Sequence, residues 1–122
     1  LKDHPKIEKL LLPGLLSEDD GQAFEVFCKQ CHGPGSMITL LLKNTDRTGA
    51  YRFLDHLQIF HLAVSLGGTE SLAEHPRSMT HSDMSEEDLD RCGISESMVR
   101  LSVGLESSDD LVEDLMAALK VV

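Results

Sequence analysis

Between Val99 and Val103 apolar residues occupy every second position, and from Asp109 to Lys120 the leucines Leu111, Leu115 and Leu119 recur every fourth. A period of two marks a strand with one buried face, and a period near 3.6 marks an amphipathic helix. A chain that changes period over so short a stretch has to lay a helix against a sheet. Arg100 and Ser102 then share the polar face of the strand. Val112 and Met116 flank the leucine line. Ser107 or Ser108 is placed to cap the helix, Asp109 and Asp110 suit its positive end, and Lys120 suits its negative end.

The rest of the chain has the same mixed character. Residues 6–16 carry the apolar Leu10-Leu11-Leu12 before Pro13-Gly14, an extended piece running into a turn. Ser17 followed by Asp20 is a capping-box type start for a helix to about Cys31, with Ala23, Phe24, Phe27, Cys28 and Cys31 as its apolar stripe and Gly33-Pro34-Gly35 as its stop. Residues 37–42 are continuously apolar and too short for a helix, and so read as a buried strand. A second helix over 48–59 presents Tyr51, Leu54, Leu57 and Gln58, with Phe53 and Phe60 beside them. Residues 62–66 form another short strand. Residues 67–87 hold Gly67, Gly68 and Pro76 among serines and threonines, which predicts a long loop broken by at most one helical turn; loops of that length are usually functional or disordered. The acidic cluster from Asp83 to Asp90 reads as a solvated helix start. Strands and helices intermix without an internal repeat, so the fold class is α/β, an α+β two-layer sandwich.

Length and charge exclude several functions. The 122 residues make one domain. The formal charge of −10, from 21 acidic against 11 scattered basic residues, disfavours a nucleic-acid partner, which needs clustered positive charge. No apolar run approaches the roughly 20 residues needed to cross a bilayer. No signal-like segment opens the chain, so a soluble, cytoplasmic protein without a membrane partner is expected. Three cysteines, Cys28, Cys31 and Cys92, are too few for a disulfide framework and are expected as reduced thiols. The chain opens on Leu1, which points to a piece cut from something longer.

Among short motifs, Cys28-Lys29-Gln30-Cys31-His32 has the C-x-x-C-H form that attaches haem. A haem or redox module built on Cys28, Cys31 and His32 is the rival reading from another class. Against it, the two cysteines complete a helical apolar stripe, and zinc would need a fourth ligand that no second C-x-x-C or H-x₃-H supplies. No metal site is therefore expected. His75 and His81 frame the long loop and read as loop histidines with ordinary hydrogen bonds, the alternatives being metal ligation or acid–base work. Arg100 differs in kind, because a guanidinium on a rigid strand offers a planar fork that suits a carboxylate; the alternative on spacing alone is an ordinary exposed or salt-bridged strand residue.

Four strings occur in order: Ser65-Leu66-Gly67-Gly68-Thr69-Glu70-Ser71-Leu72, then His75-Pro76-Arg77-Ser78-Met79-Thr80-His81, then Gly93-Ile94-Ser95, then Arg100-Leu101-Ser102-Val103-Gly104-Leu105-Glu106. Together they resemble the C-terminal region of the pyridoxal-phosphate enzymes of cysteine and methionine metabolism, a family that includes cystathionine γ-synthase, cystathionine γ-lyase and methionine γ-lyase. His4-Pro5, Pro13-Gly14 and residues 33–42 extend the likeness upstream, so that it covers essentially the whole chain. The resemblance is nearest to the methionine γ-lyase branch.

The resemblance implies that residues 1–122 are the small C-terminal domain of a fold-type I pyridoxal-phosphate enzyme, an antiparallel sheet with helices on one face. The larger domain, which holds most of the pyridoxal 5'-phosphate site, is missing. The family's Schiff-base lysine lies in S-x-T-K, and none of Lys2, Lys6, Lys9, Lys29, Lys43 or Lys120 has that context. No catalytic or cofactor-binding residue is therefore expected in this chain, and the chain alone should be inactive. By the same resemblance Arg100 matches the arginine that binds the substrate α-carboxylate, and Ser65 the serine of the S-L-G motif at the substrate. Val64 matches a position where enzymes acting on cystathionine often carry Glu and methionine γ-lyases carry Val. The implied activity is C–S lyase γ-elimination on a methionine-like sulfur amino acid. A γ-replacement synthase of the cystathionine γ-synthase or O-acetylhomoserine sulfhydrylase type is the alternative. The implied partners are the substrate, the chain's own large domain and a second copy or more, in a dimer or tetramer. Two departures stand out. Arg77 replaces the usual Ala of H-P-A, which would add positive charge near the substrate entrance. Residues 28–32 replace a family stretch closer to K-R-Q-M-S without an insertion, which supports reading the haem-like string as a coincidence.

Overall fold

A computed structural model describes all 122 residues. Five strands, β1 (Ile7–Leu11), β2 (Met37–Leu42), β3 (His61–Leu62), β4 (Leu72–Glu74) and β5 (Met98–Ser102), form one sheet in the order β1-β2-β5-β4-β3. The β1/β2, β2/β5 and β4/β5 pairs are antiparallel, whereas β3 runs parallel to β4. The expected sheet is thus antiparallel except at one edge. A parallel pair needs a connection that doubles back along the strand. Residues 63–71 manage this because β3 and β4 have only two and three residues.

The helices are α1 (Gln22–Gln30), α2 (Arg47–His56), α3 (Glu86–Arg91) and α4 (Ser108–Ala118). Helices α2 and α4 pack on one sheet face, where Phe53, Leu54, Leu111, Leu115 and Leu119 meet Leu40, Leu42, Val99 and Leu101. Asp46 caps α2 by accepting from the N–H groups of Thr48 and Gly49. Its buried face is Gly49, Ala50, Phe53 and Leu54, one position round from the expected stripe, and Tyr51 is left exposed. A side chain at Gly49 would fall 1.7 Å from Thr45 Oγ1. Glycine therefore lets α2 begin hard against the preceding turn.

The leucine line of α4 is buried as expected, while Val112 and Met116 face solvent. The place beside that line is taken by Asp114, which is buried and accepts hydrogen bonds from the backbone N–H groups of Gln58, Ile59 and Phe60 at 2.8, 2.9 and 3.2 Å. This carboxylate ties the exit of α2 to α4 and sets where β3 starts. No helix is long and apolar enough to cross a membrane.

Further readings of the sequence change. The strand expected over 62–66 shrinks to β3, His61–Leu62, and residues 64–66 are exposed loop. The first helix is split: a short 3₁₀ turn at Glu18–Asp20 closes with the Ser17/Asp20 capping box, Gly21 takes φ 55°, and α1 follows. No residue of α1 is buried, and Cys28 and Cys31 are exposed. The apolar stripe is only partly covered, Phe24 and Phe27 being half-buried, because α1 packs mainly on the preceding 3₁₀ turn. β2 is buried on one face only. Leu40 and Leu42 enter the core, while Thr39 and Leu41 lie half-buried on the face away from α2 and α4. The long loop contains β4, a nearly central strand. That second sheet face, open along β2, carries Arg100, Ser102 and Glu74.

Candidate functional site

The site is built on the β4/β5 ladder. Antiparallel pairing sets Glu74 opposite Arg100 and Leu72 opposite Ser102, with Thr39 of β2 on the other side of Arg100. Directly opposed residues point to the same face, so Glu74, Arg100 and Thr39 form one row. Arg100 is 20% exposed and Glu74 1%, and Arg100 Nη2 lies 2.9 Å from Glu74 Oε1. The two groups are in ionic contact but off the line a hydrogen bond needs, and neither Arg100 Nη2 nor Glu74 Oε2 has a hydrogen-bond partner. Glu74 Oε1 accepts from the Thr80 hydroxyl at 3.0 Å, and Thr80 in turn contacts His81 Nδ1 at 2.9 Å.

Ser102 is buried. Its hydroxyl accepts from the backbone N–H of Gly67 at 2.8 Å, which fastens the middle of residues 63–71 to β5, and Gly67 makes the turn with φ +74°. The far end of the loop is fastened by Ser71 and Glu106. Ser71 donates to the Glu106 carboxylate from its N–H at 2.8 Å and from its hydroxyl at 2.7 Å, while its Oγ accepts from Gly104 N–H at 2.8 Å. The Ser71 N–H and hydroxyl donors hold the Glu106 carboxyl below the usual range. Gly104 has to be glycine, since a Cβ there would lie 2.5 Å from Thr69 O and 2.6 Å from the Glu70 carbonyl carbon.

Between these anchors, Val64, Ser65 and Leu66 are exposed, Val64 at 57%. Arg100 and the Val64-Ser65 segment are therefore joined through Ser102–Gly67, and no hydrogen bond links them directly. The loop is held at its ends and middle while its apolar tip is free to meet another surface.

Arg77 departs most from expectation. It is buried at 6% and carries no free charge to a substrate entrance. Its guanidinium pairs with Glu86, with Asp90 at 2.8 Å and with Glu96 at 3.2 Å, and donates to the Ile94 carbonyl at 2.5 Å. Hydrogen bonds to Asp90 and Glu86 raise its pKa further. Glu96 is also gripped bidentately by Arg47 at 2.7 and 2.8 Å, and this bond more than any other cause lowers its pKa. The network binds α3 to the start of α2.

His75 is fully buried, with Nδ1 2.8 Å from the Ser78 hydroxyl, Nε2 3.0 Å from the Glu96 carbonyl oxygen and the Tyr51 ring edge-on at 5.2 Å. It is a structural pin. No three His, Cys, Asp or Glu side chains converge in a way that could hold a metal ion. Cys28, Cys31 and His32 line a shallow concavity with Phe27 and Pro34. The thiols are exposed and free, so burial cannot be used against the haem or redox reading.

Glu74, Ser71 and Glu106 were not visible as site residues in the sequence. The only signal was polar side chains inside short strings otherwise read as loop.

The family model for Cys/Met metabolism PLP-dependent enzymes matches residues 1–120. Human cystathionine γ-lyase is 47% identical over 120 residues, covering 98% of this chain and 29% of the relative. L-methionine γ-lyase of Pseudomonas deceptionensis is 46% identical over 122 residues, covering all of this chain and 30% of the relative. Overall similarity thus does not separate the two activities. The crystal structure of cystathionine γ-synthase from Xanthomonas oryzae pv. oryzae in complex with cystathionine superposes with a TM-score of 0.87 at 39% identity, covering 99% of this chain and 30% of that one. The chain spans about a third or less of the length of the relatives it matches.

Proposed function

The chain belongs to the pyridoxal-phosphate-dependent enzymes of cysteine and methionine metabolism, and from that premise we propose that it is the C-terminal, substrate-gripping domain of a C–S lyase. In this reading the parent enzyme carries out γ-elimination on methionine-like amino acids in the cytoplasm, as a homo-oligomer. The observation that carries the reading is Arg100. Its guanidinium sits on a paired strand, partly exposed and donating no hydrogen bond within the chain. With Nη2 in ionic contact with Glu74 at 2.9 Å, the donors of the fork that remain are suited to a ligand carboxylate, which takes two parallel bonds from a guanidinium.

The residues present do not fit a seat for the cofactor. Every lysine of the chain is exposed, whereas a Schiff-base lysine is made nucleophilic by burial or a neighbouring cation. The seat accordingly belongs to the part of the parent beyond these residues. This chain's work is to bind and orient. Arg100 holds the α-carboxylate, so that the Cα–H bond meets the base in a fixed direction. The Ser65 hydroxyl is a polar contact at the substrate. Val64, apolar and exposed, lines the distal end, where a thioether is accommodated and a second charged amino-acid head is not.

The test uses the full-length protein assayed with methionine, cystathionine and O-acetylhomoserine. Methionine should release thiol and ammonia with the highest kcat/KM. Preference for the activated homoserine ester plus a thiol would assign a γ-replacement synthase instead. Arg100→Ala should lower kcat/KM at least about 100-fold, the scale of breaking a charged pair. Arg100→Lys should recover only part of this, because the charge returns without the fork. Normal turnover by a folded Arg100→Ala variant would place the carboxylate grip elsewhere.

A further inference from the structure

We propose that Glu74 is the positioning residue for Arg100, fixing the guanidinium from behind and setting how strongly it holds a carboxylate. The proposal rests on the reading of Arg100 as the carboxylate grip. Glu74 is 1% exposed, and the ladder places it directly across from Arg100. Its Oε1 meets Arg100 Nη2 at 2.9 Å and the Thr80 hydroxyl at 3.0 Å, while Oε2 is buried with no partner. A buried carboxylate with an unmatched oxygen is a cost to the fold, and the one ion-pair partner of Glu74 is Arg100. What the charge does is act on Arg100.

The geometry gives that action a direction. Nη2 is the only Arg100 nitrogen that is both buried and unpartnered, so the remaining N–H donors of the fork reach solvent. Glu74 occupies the buried end of the guanidinium and leaves the open end for a ligand. Two consequences follow. The plane of the fork is fixed before a ligand arrives, which lowers the ordering cost of binding. The ligand carboxylate must also share Arg100 with a resident anion, so its affinity is held down by repulsion while its orientation is kept. For two unit charges about 6 Å apart, this repulsion amounts to at least about 3-fold in affinity even at the dielectric constant of water.

The experiment is run on the full-length protein with two unreactive ligands. Norleucine has a methylene in place of the methionine sulfur and so lacks a leaving group, and norleucinamide also lacks the carboxylate. Glu74→Gln keeps shape and an acceptor oxygen but removes the charge. It should lower the inhibition constant of norleucine at least about 3-fold and leave that of norleucinamide unchanged. A merely structural role would shift both constants together. Glu74→Asp, which keeps the charge, should retain the parent's norleucine-to-norleucinamide ratio within about 2-fold. Glu74→Met, neutral and of similar length, is the second variant if Glu74→Gln fails to fold, with the same expected fall in the norleucine constant alone. Arg100→Ala separates the two ideas, because it should collapse the ratio. If it does, and Glu74→Gln leaves the ratio where it was, the Glu74 proposal is overturned while the Arg100 grip stands. If Arg100→Ala leaves the ratio intact, both fall.

Discussion

Asp114 offers the sharpest test of how the fold places the candidate site. Its carboxylate accepts from three successive backbone N–H groups, at 2.8 Å from Gln58, 2.9 Å from Ile59 and 3.2 Å from Phe60. Asp114→Ala removes all three acceptors at once. Gln58 is exposed and Ile59 half-buried, so their N–H groups can turn to water, but Phe60 is buried and its donor is left unmatched. An orphaned buried donor costs about 1–3 kcal/mol, and losing bonds to a charged acceptor adds to it, so the expected loss is about 3 kcal/mol. For a domain of this size that is a fall in Tm of about 10 °C. Asp114→Asn keeps one acceptor oxygen and should lose about half as much. Glu113→Ala, one residue away and exposed, is the control and should stay within about 0.5 kcal/mol. Urea unfolding of the three variants measures the differences, and amide hydrogen exchange at Gln58, Ile59 and Phe60 should quicken in Asp114→Ala. If Asp114→Ala unfolds at the same urea concentration as Glu113→Ala, the carboxylate does not hold the exit of α2.

The other expectations concern the loop at residues 63–71 and the chain as a whole. Gly104→Ala forces a Cβ to within 2.5 Å of Thr69 O and should cost about 1–3 kcal/mol in urea unfolding; an unchanged midpoint would mean that the loop is not clamped there. The Glu106 carboxyl is held low by Ser71, so its contribution to stability is present above the ordinary Glu pKa of about 4.3 and is lost as pH falls through the lowered value. Glu106→Gln should therefore flatten the part of the acid-unfolding profile below about pH 4.3, and an unaltered profile would count against the clasp. The isolated 122-residue chain mixed with pyridoxal phosphate and methionine should release no thiol or ammonia above the free-cofactor rate, because it has no lysine placed for a Schiff base.

What could be read from the sequence tracks how locally each feature is encoded. The β5 alternation and the α4 leucine line gave the sheet-and-helix layering directly, because period and burial coincide there. α1 has equally good periodicity and yet buries no residue, since an amphipathic pattern states that a face is apolar but not what covers it. β4 was missed because Leu72-Ala73-Glu74 has no alternation and is buried on both faces. Such strands are defined by their neighbours, and three residues are too few to carry a signal. The same limit hid Glu74. In the sequence it sits between Ala73 and His75 with nothing to single it out, and only the pairing of β4 with β5 places it across from Arg100. Arg77 was read as an exposed charge because its partners, Glu86, Asp90 and Glu96, lie 9 to 19 positions away on α3 and the turn after it.

One register, that of β4 on β5, accounts for the arginine and the loop together. The pairing that sets Glu74 opposite Arg100 also sets Leu72 opposite Ser102. That brings Ser71 beside Gly104 and Glu106, and leaves the Ser102 hydroxyl to hold Gly67. Moving β4 by one residue would turn Glu74 into the apolar layer now filled by Ala73, and would withdraw Ser71 from Gly104. The same slip would remove the anion behind Arg100 and release the segment bearing Val64 and Ser65. The orientation of the Arg100 guanidinium and the position of the Val64-Ser65 segment are therefore set by a single structural variable. A strand of only three residues can hold that register because its flanks are fixed by side chains: Ser71 by Glu106 at one end, His75 by Ser78 and the Glu96 carbonyl at the other. Substitutions at Ser71 or His75, neither of which is proposed to touch substrate, should then impair carboxylate recognition and loop placement in step. Variants at Val64 should alter distal specificity and leave the norleucine-to-norleucinamide ratio as it was.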